Sequence, residues 1–318
     1  MEERLEYRIF TYSAYLLNKF GEKVFRVGLS TGKTCPHRKD NGGCIFCNPH
    51  TFTGEYQSQD LSIEEQFKDA IPRIKKACGD VKLLAYFQDE TSTYGNINFL
   101  KQKFDEALSH PEVIGLVVST RSDYINEKVI ELLASYKVPV TIEIGLQSVH
   151  NKSLEFLNRG HTFEQAEKAI EMCGKAGLTV SVHLILGIPN ETYNEMLQTI
   201  KWVSSNKYIS QVKFHNLVVY RNTKLAKMVD IPIYTIEEHI KNMGKLIPYL
   251  RGDIVVSRLF TSNIRRSQIA IGKYPGNKTK WMNELRKYIY EHGINQGSET
   301  DIEYDFSGTR FVIFWKGE

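Results

Sequence analysis

The sequence predicts an α/β fold built from six parallel β/α units, on three observations. Short β-branched runs recur through residues 1–262, and a segment of helical periodicity follows each one. Successive strands lie roughly 25 to 55 residues apart, which leaves room for the right-handed crossover helix that parallel strands require. The strands are largely apolar on both faces, as in a sheet covered on both sides, which fits an open barrel and a doubly wound sheet alike.

The strands are expected at Val24 to Leu29, Val81 to Phe87, Val113 to Ser119, Val138 to Ile144, Leu178 to Leu186 and Gln211 to Val219. Helices are expected at 64–78, 97–109, 126–136, 163–176, 191–206 and 235–250, with Pro72 weakening or kinking the first. The rhythm stops after about residue 262. Residues 263–318 read as a small α+β extension: a basic stretch, a helix near 279–292, and a hairpin, "DIEYDFSGTRFVIFWKG", turning at Ser307-Gly308. This region is expected to be an appended subdomain or a cover over one end of the barrel.

Composition is that of an ordinary globular chain, 42% apolar and 25% charged. The net charge of +4 permits nucleic acid as a partner without arguing for it. No apolar run approaches the roughly 18 residues needed to span a bilayer, and the opening "MEERLEYRIF" starts charged and lacks the apolar stretch of a signal peptide. A cytoplasmic protein with no membrane association is therefore expected.

Three of the five cysteines stand in "TGKTCPHRKDNGGCIFCNPH", residues 31–50, directly after the first strand. Loops leaving the carboxyl ends of parallel strands build active sites, so Cys35, Cys44 and Cys47 lie where chemistry is expected. Gly42 and Gly43 let the loop double back, and Pro36 and Pro49 stiffen its ends. Cys78 and Cys173 instead fall on apolar helix faces and read as core thiols. A zinc site would need His37 or His50 as a fourth ligand. Three thiolates on an iron–sulfur cubane leave one iron without a protein ligand, open to a small molecule.

The spacing C-x8-C-x2-C after a strand, followed by five more β/α units, resembles the radical S-adenosylmethionine (SAM) superfamily. The wording "STGKTCPHR…GGCIFC" is similar to the YhcC/YtqA group, related to the catalytic subunit of Elongator and, more distantly, to the oxygen-independent coproporphyrinogen oxidases. The resemblance, from about Phe25 to about Leu259, implies a partial (β/α)6 TIM-like barrel. It also implies a [4Fe-4S] cluster on Cys35, Cys44 and Cys47, with S-adenosyl-L-methionine cleaved to a 5′-deoxyadenosyl radical. A low-potential electron donor such as flavodoxin or ferredoxin is implied as a partner.

Later segments match the family one at a time. "TIEIGLQSVHNKSLEFLNRGHT" implies contact roles for Gln147 and Arg159, "VSVHLILGIPNET" for His183, and "VVSTRSDYI" for Ser119. Where many members carry a glycine-rich turn, this chain reads "YFQDETSTYG", so Gln88, Thr91 and Thr93 are the candidates to hold the cofactor's amino group. His161, His215, Tyr94 and Tyr220 are candidate proton donors, substrate contacts or radical relays. Each of these polar residues, taken singly, is as readily a structural group.

The group's relatives modify transfer RNA, so the leading expectation is radical chemistry on the wobble uridine side chain in the anticodon, carboxymethylaminomethyl to aminomethyl. Arg265, Arg266, Lys273, Lys278, Lys280, Arg286 and Lys287, interleaved with Tyr274, Trp281 and Tyr288, would suit phosphate contacts and base stacking, or would simply form a solvated basic helix. A small-molecule or porphyrin-like substrate is the alternative within the superfamily, and a zinc-binding, non-catalytic RNA-binding protein the alternative outside it. A methylthiotransferase would need three further clustered cysteines, which the chain lacks.

Overall fold

The computed structural model describes residues 3–51, 53, 54, 57, 60–88, 90–228, 230–261, 266–272, 274 and 277–306. After helix α1 (Tyr12–Phe20) come strand β1 (Val24–Leu29), the short helix α2 (Pro36–Asn41) and α3 (Ile63–Cys78). Then follow β2 (Lys82–Phe87), α4 (Ile97–Leu108), β3 (Val113–Thr120), α5 (Glu127–Ser135), β4 (Val140–Gln147), α6 (Asn151–Phe156) and α7 (Phe163–Lys175). The rest is β5 (Thr179–Leu186), α8 (Tyr193–Ser205), β6 (Ile209–Asn216), β7 (Val219–Tyr220), α9 (Ile236–Leu246), β8 (Val255–Arg258), β9 (Ile269–Ile271) and α10 (Lys278–Glu291).

Every neighbour in the main sheet is parallel, in the order β1-β2-β3-β4-β5-β6-β8. The sheet curls into a half-barrel with the crossover helices outside, the partial TIM barrel that was expected. Two details differ from the sequence reading. A seventh strand, β8, adds beyond the sixth; with four residues it is too short to show alternation. The sixth strand stops at Asn216 rather than Val219, because Val219 and Tyr220 leave the sheet to pair antiparallel with β9.

Helix starts follow from local chemistry. Ser62, Thr162, Thr192 and Thr235 each accept from the backbone N–H three residues on, and Glu65, Gln165, Glu195 and Glu238 reach back to the capping residue. Helix α3 runs through Pro72 without a break, and Cys173 is fully buried, as expected of a core thiol, whereas Cys78, expected to be one too, is only half-buried at the end of α3. Inside the half-barrel, Leu16 of α1 joins Leu84 and Val117 in an apolar cluster, with Tyr12 and Phe20 packed against it. Helix α1 therefore fills the lower lumen and leaves the upper lumen open.

The region after β8 is tied to the barrel. Trp281, Leu285 and Ile289 of α10 enter the main core against α9. Further on, Gln296 has no exposed surface; it accepts from Phe10 N (2.9 Å) and donates to the carbonyls of Arg251 (2.9 Å) and Ile254 (2.7 Å). Tyr304 stacks on Phe10 with ring centroids 5.4 Å apart. Arg251 and Ile254 precede β8, so this tail closes the end of the barrel opposite the strands' carboxyl ends.

The aromatic residues expected to stack on bases are occupied elsewhere. Trp281 is core, Tyr274 is buried with its hydroxyl on the Leu217 carbonyl (2.9 Å), and Tyr288 stacks on His292 (4.1 Å). Lys280 pairs with Glu284 and Lys287 with Glu291 along the helix surface. Arg265, Lys273, the Arg266 side chain and the hairpin at Ser307-Gly308 lie outside the described residues.

Candidate active site

The cysteine loop crosses the upper mouth of the half-barrel. Cys35 precedes α2, which ends where Gly42 and Gly43 take left-handed conformations (φ 69° and 70°) and return the chain to Cys44. The loop is pinned by Ile45 N to the Leu157 carbonyl (3.1 Å), Leu225 N to the Ile45 carbonyl (2.9 Å), and Asn158 Nδ2 to the Gly43 carbonyl (2.7 Å). All three thiols line one cavity of about 270 Å³.

Cationic and hydroxyl donors face the sulfurs. Arg159 Nη1 lies 3.2 Å from Cys44 Sγ, Arg121 Nη1 3.8 Å from the same sulfur, Arg38 Nη2 3.5 Å from Cys47 Sγ, and Thr91 Oγ1 3.5 Å from Cys35 Sγ. Glu90 holds Arg38 through a 2.7 Å ion pair and accepts from the Cys35 backbone N–H. Burial pushes the Cys44 thiol up, but Arg159, a hydrogen bond with His37 and Arg121 outweigh it and bring the thiol down to about 6. Burial and the neighbouring Cys44 push Cys47 the other way, to about 11.

This donor set fits an anionic iron–sulfur cluster. Among the described residues, no three Cys, His, Asp or Glu side chains converge on a point where one metal ion could sit. The thiols instead ring a cavity, as a polynuclear cluster with one thiolate per iron requires. The Nε atoms of Arg121 and Arg159 are buried without a hydrogen-bond partner. They crowd in beside the thiols and carry positive charge that a reduced cluster would offset.

Below the thiols the lumen is polar at one level, where Tyr86, Ser119, Glu143, His183, Lys213 and Arg258 project from successive strands. Glu143, fully buried, accepts from Tyr86 Oη (2.7 Å), Ser119 Oγ (2.8 Å), Arg26 Nη1 (3.0 Å), His183 Nε2 (3.0 Å) and Lys213 Nζ. Burial alone would raise its carboxyl; Lys213, His183 and Arg26 hold it well below the usual carboxylate range. Burial and Lys213 lower His183 to about 4, so it donates to Glu143 as a neutral ring.

The cavity brings together Cys35, Cys44, Cys47, Gln88, Ser119, Gln147, Arg159, His183, His215 and Tyr220 of the sequence candidates. Gln147 ends β4 at a bulge with φ 71°, a left-handed conformation unusual for a side chain of its size and typical of functional sites. Four candidates fall outside the lining. Thr93 is spent on the Tyr124 carbonyl (2.7 Å) and the Thr120 hydroxyl, and Tyr94 packs edge-on against Tyr124. His161 is buried, its Nδ1 near the Thr162 carbonyl, and burial with Arg159 lowers it to about 3. Thr91 faces Cys35 rather than open cavity.

Sequence reasoning passed over Arg26, Glu143, Lys213 and Arg258, whose signal was a charge inside an otherwise apolar strand. It also passed over Arg38, Glu90 and Arg121, which sit beside residues it did select.

A parallel half-barrel with three thiols over the carboxyl ends of its strands, guanidiniums on their sulfurs and a polar lumen beneath defines an iron–sulfur enzyme. The chain belongs to the radical SAM superfamily, which matches residues 29–203, and the radical SAM C-terminal domain matches residues 209–291. This superfamily uses a [4Fe-4S] cluster and S-adenosyl-L-methionine. An uncharacterized protein of Methanocaldococcus jannaschii, MJ0486, is 35% identical over 295 residues, 90% of this chain and 91% of that one. The YhcC protein of Escherichia coli is 32% identical over 292 residues, 89% and 92% of the two chains. A tRNA uridine(34) acetyltransferase of M. jannaschii is 32% identical over 200 residues, 61% of this chain and 36% of that protein. Among solved structures, the archaeal Elp3 of Methanocaldococcus infernus superposes with a TM-score of 0.67 at 20% identity, covering 86% of this chain and 64% of the other, a likeness of fold. No helix among the described residues is long and apolar enough to cross a membrane.

Proposed function

We propose that the protein is a tRNA-modifying radical SAM enzyme that acts on the wobble uridine side chain, taking a carboxymethylaminomethyl group to aminomethyl. The observation that carries this reading is the 32% identity over 200 residues to a tRNA uridine(34) acetyltransferase, a stretch 61% of this chain in length. Among the described residues of the C-terminal region, Tyr274, Trp281 and Tyr288 are occupied elsewhere, which favours base recognition at the mouth of the half-barrel.

When bound, the cluster and cofactor, with a low-potential electron donor such as flavodoxin or ferredoxin, would supply a carbon radical that takes a hydrogen atom from the side-chain carbon between the nitrogen and the carboxylate; with a second electron lost to a one-electron acceptor and a proton to solvent, water would hydrolyse the resulting imine to the aminomethyl group and glyoxylate. The chain's part is to bind, orient and exclude water. Cys35, Cys44 and Cys47 hold the cluster, with Thr91 and the Glu90–Arg38 pair positioning Cys35 and Cys47. Arg159 and Arg121 balance charge at Cys44. Gln147, Gln88, Ser119 and His183 face the cofactor, the last two oriented by Glu143. Ile45 and Phe46, packed with Leu157, Ile185 and Leu217, keep water from one side of the loop.

Nucleoside analysis of transfer RNA from a deletion strain tests the substrate: carboxymethylaminomethyl uridine should accumulate at the wobble position. An unchanged profile refutes it. Anaerobically reconstituted protein should be brown and release 5′-deoxyadenosine with reductant and cofactor, whereas a colourless protein holding one zinc refutes the radical chemistry.

A further inference from the structure

One wall of the cavity is not accounted for by the cluster or by Glu143. It is formed by the ends of β6 and β8, where His215, Asn216, Arg258 and Thr261 line the space. His215 Nε2 and Asn216 Nδ2 are buried with no hydrogen-bond partner. Among the described residues the Arg258 guanidinium has neither a hydrogen bond nor an ion pair, although it stands beside Lys213 in the strand register and lines the cavity. Buried polar atoms are almost always satisfied, so His215 Nε2 and Asn216 Nδ2, with the half-buried Arg258 guanidinium unpaired beside them, ask for a ligand on this wall.

The sign of that ligand follows from charge. At this level of the lumen Arg26 and Arg258 are cationic, and Lys213, whose charge burial disfavours and Glu143 favours, is paired with Glu143, the one carboxylate among the described residues that bond there. Its oxygens already accept five donors, so it has nothing left for Arg258. An anion with planar oxygens is what a guanidinium fork and an amide N–H₂ take best. His215 adds a third polar atom, as an N–H donor in one tautomer. The strand order sets this wall apart from the thiols, whose partners Thr91, Arg121 and Arg159 follow β2, β3 and β4.

We propose that Arg258, His215 and Asn216 form a carboxylate subsite for the substrate, on the β6–β8 wall of the active-site cavity. This rests on the reading above, in which the substrate side chain ends in a carboxylate, and it assigns that group its place. Arg258 is then a specificity-determining residue that anchors the side chain beside the reacting carbon.

The test measures binding to reconstituted enzyme saturated with S-adenosylmethionine and without reductant, so that the cofactor's own carboxylate is already placed. The probes are 5-carboxymethylaminomethyluridine, 5-methylaminomethyluridine, propionate and inorganic phosphate, titrated calorimetrically. The wild type should bind the carboxylated nucleoside about 10- to 100-fold more tightly than the uncarboxylated one, the range of a charge-assisted hydrogen bond pair. Arg258→Gln should abolish the preference, and Arg258→Lys should restore part of it. The melting temperature of Arg258→Gln should stay near that of the wild type, because no ion pair is lost. Equal affinities in the wild type, a preference kept by Arg258→Gln, or phosphate binding in place of propionate would overturn the subsite. Arg258-dependent binding of propionate with neither nucleoside bound would uphold the subsite and overturn the wobble-uridine reading.

Discussion

Glu143→Gln is the sharpest test of how the lumen is held together. The substitution keeps the shape of the side chain but removes the one negative charge facing Arg26 and Lys213, and it turns an acceptor toward donors as an N–H₂ group. Breaking a buried ion pair from one side costs about 3–5 kcal/mol, because the partner charges are left uncompensated. Unfolding entropy of about 2 cal/mol/K per residue gives about 0.7 kcal/mol/K for this chain, so the melting temperature should fall by about 4–8 °C at neutral pH. The sign of the pH dependence is fixed by the direction of the shift. Glu143 is depressed in the folded state, so its contribution is present above the unfolded carboxyl value of about 4.3 and is lost as pH falls toward the folded value. The gap between wild type and variant, read by scanning calorimetry at one scan rate, should be constant from about pH 8 to pH 5 and narrow below about pH 4.5. Adding Lys213→Met to Glu143→Gln should cost less than the sum of the single changes, since the pair is removed together. A variant that melts within about a degree of wild type, or a gap that widens in acid, would refute the reasoning.

Three further outcomes follow from other parts of the molecule. Gly145→Ala would put a methyl group 2.8 Å from Arg159 Nη2 and 3.0 Å from Gln147 Nε2, displacing Arg159 from Cys44. Cluster content and S-adenosylmethionine affinity, measured by iron analysis and calorimetry, should fall while the melting temperature changes little. Serine in place of Cys35, Cys44 or Cys47 should each leave a protein that folds but fails to retain four irons after anaerobic reconstitution; full retention by any one would remove that residue from the ligand set. Gln296→Leu strands one backbone N–H and two carbonyls in the lower seal, at about 1–3 kcal/mol for each group left unsatisfied. It should lower stability in urea without altering 5′-deoxyadenosine yield per folded molecule, because the seal lies at the end of the barrel away from the thiols.

Much of the fold was legible because its units are local. Six strands and six helices show in hydrophobic period, and four helix starts are spelled out by capping pairs such as Thr192 with Glu195. Strand β8 was not, since Val255–Arg258 has too few residues for a period and is fixed by its pairing with β6. The tail misled for a related reason: Trp281 and Tyr274 look the same in sequence whether they face solvent or pack into a core. The cysteine loop was legible from its spacing, its place after the first strand and the wording around the thiols. Of the guanidiniums on its sulfurs, Arg159 was picked out as a cofactor contact, but Arg38 and Arg121 were not, because the three come from separate stretches of chain and meet only when the barrel curls. Glu143 could have been found, as a carboxylate at the centre of a strand whose neighbours are all apolar demands a buried cation somewhere.

The same lumen also limits what can move a proton in the cavity. Glu143 is saturated by five donors and held ionised, so it is a poor base, and His183 is committed to it as a donor. His161 lies outside the cavity lining, and burial first, then Thr51 and Arg258, set the Tyr220 hydroxyl at about 12, too weak an acid to give up a proton readily near neutral pH. That leaves His215, kept neutral by burial and by Arg258, with one ring nitrogen unmet. An anion seated on Arg258 would remove the repulsion that depresses this imidazole and raise its affinity for a proton. Substrate binding and readiness to exchange a proton are in this way coupled through one guanidinium, and Arg258→Gln should separate them: the His215 ring, followed by proton NMR, should titrate in the unliganded variant at higher pH than in the unliganded wild type, with no further rise on adding the carboxylated nucleoside.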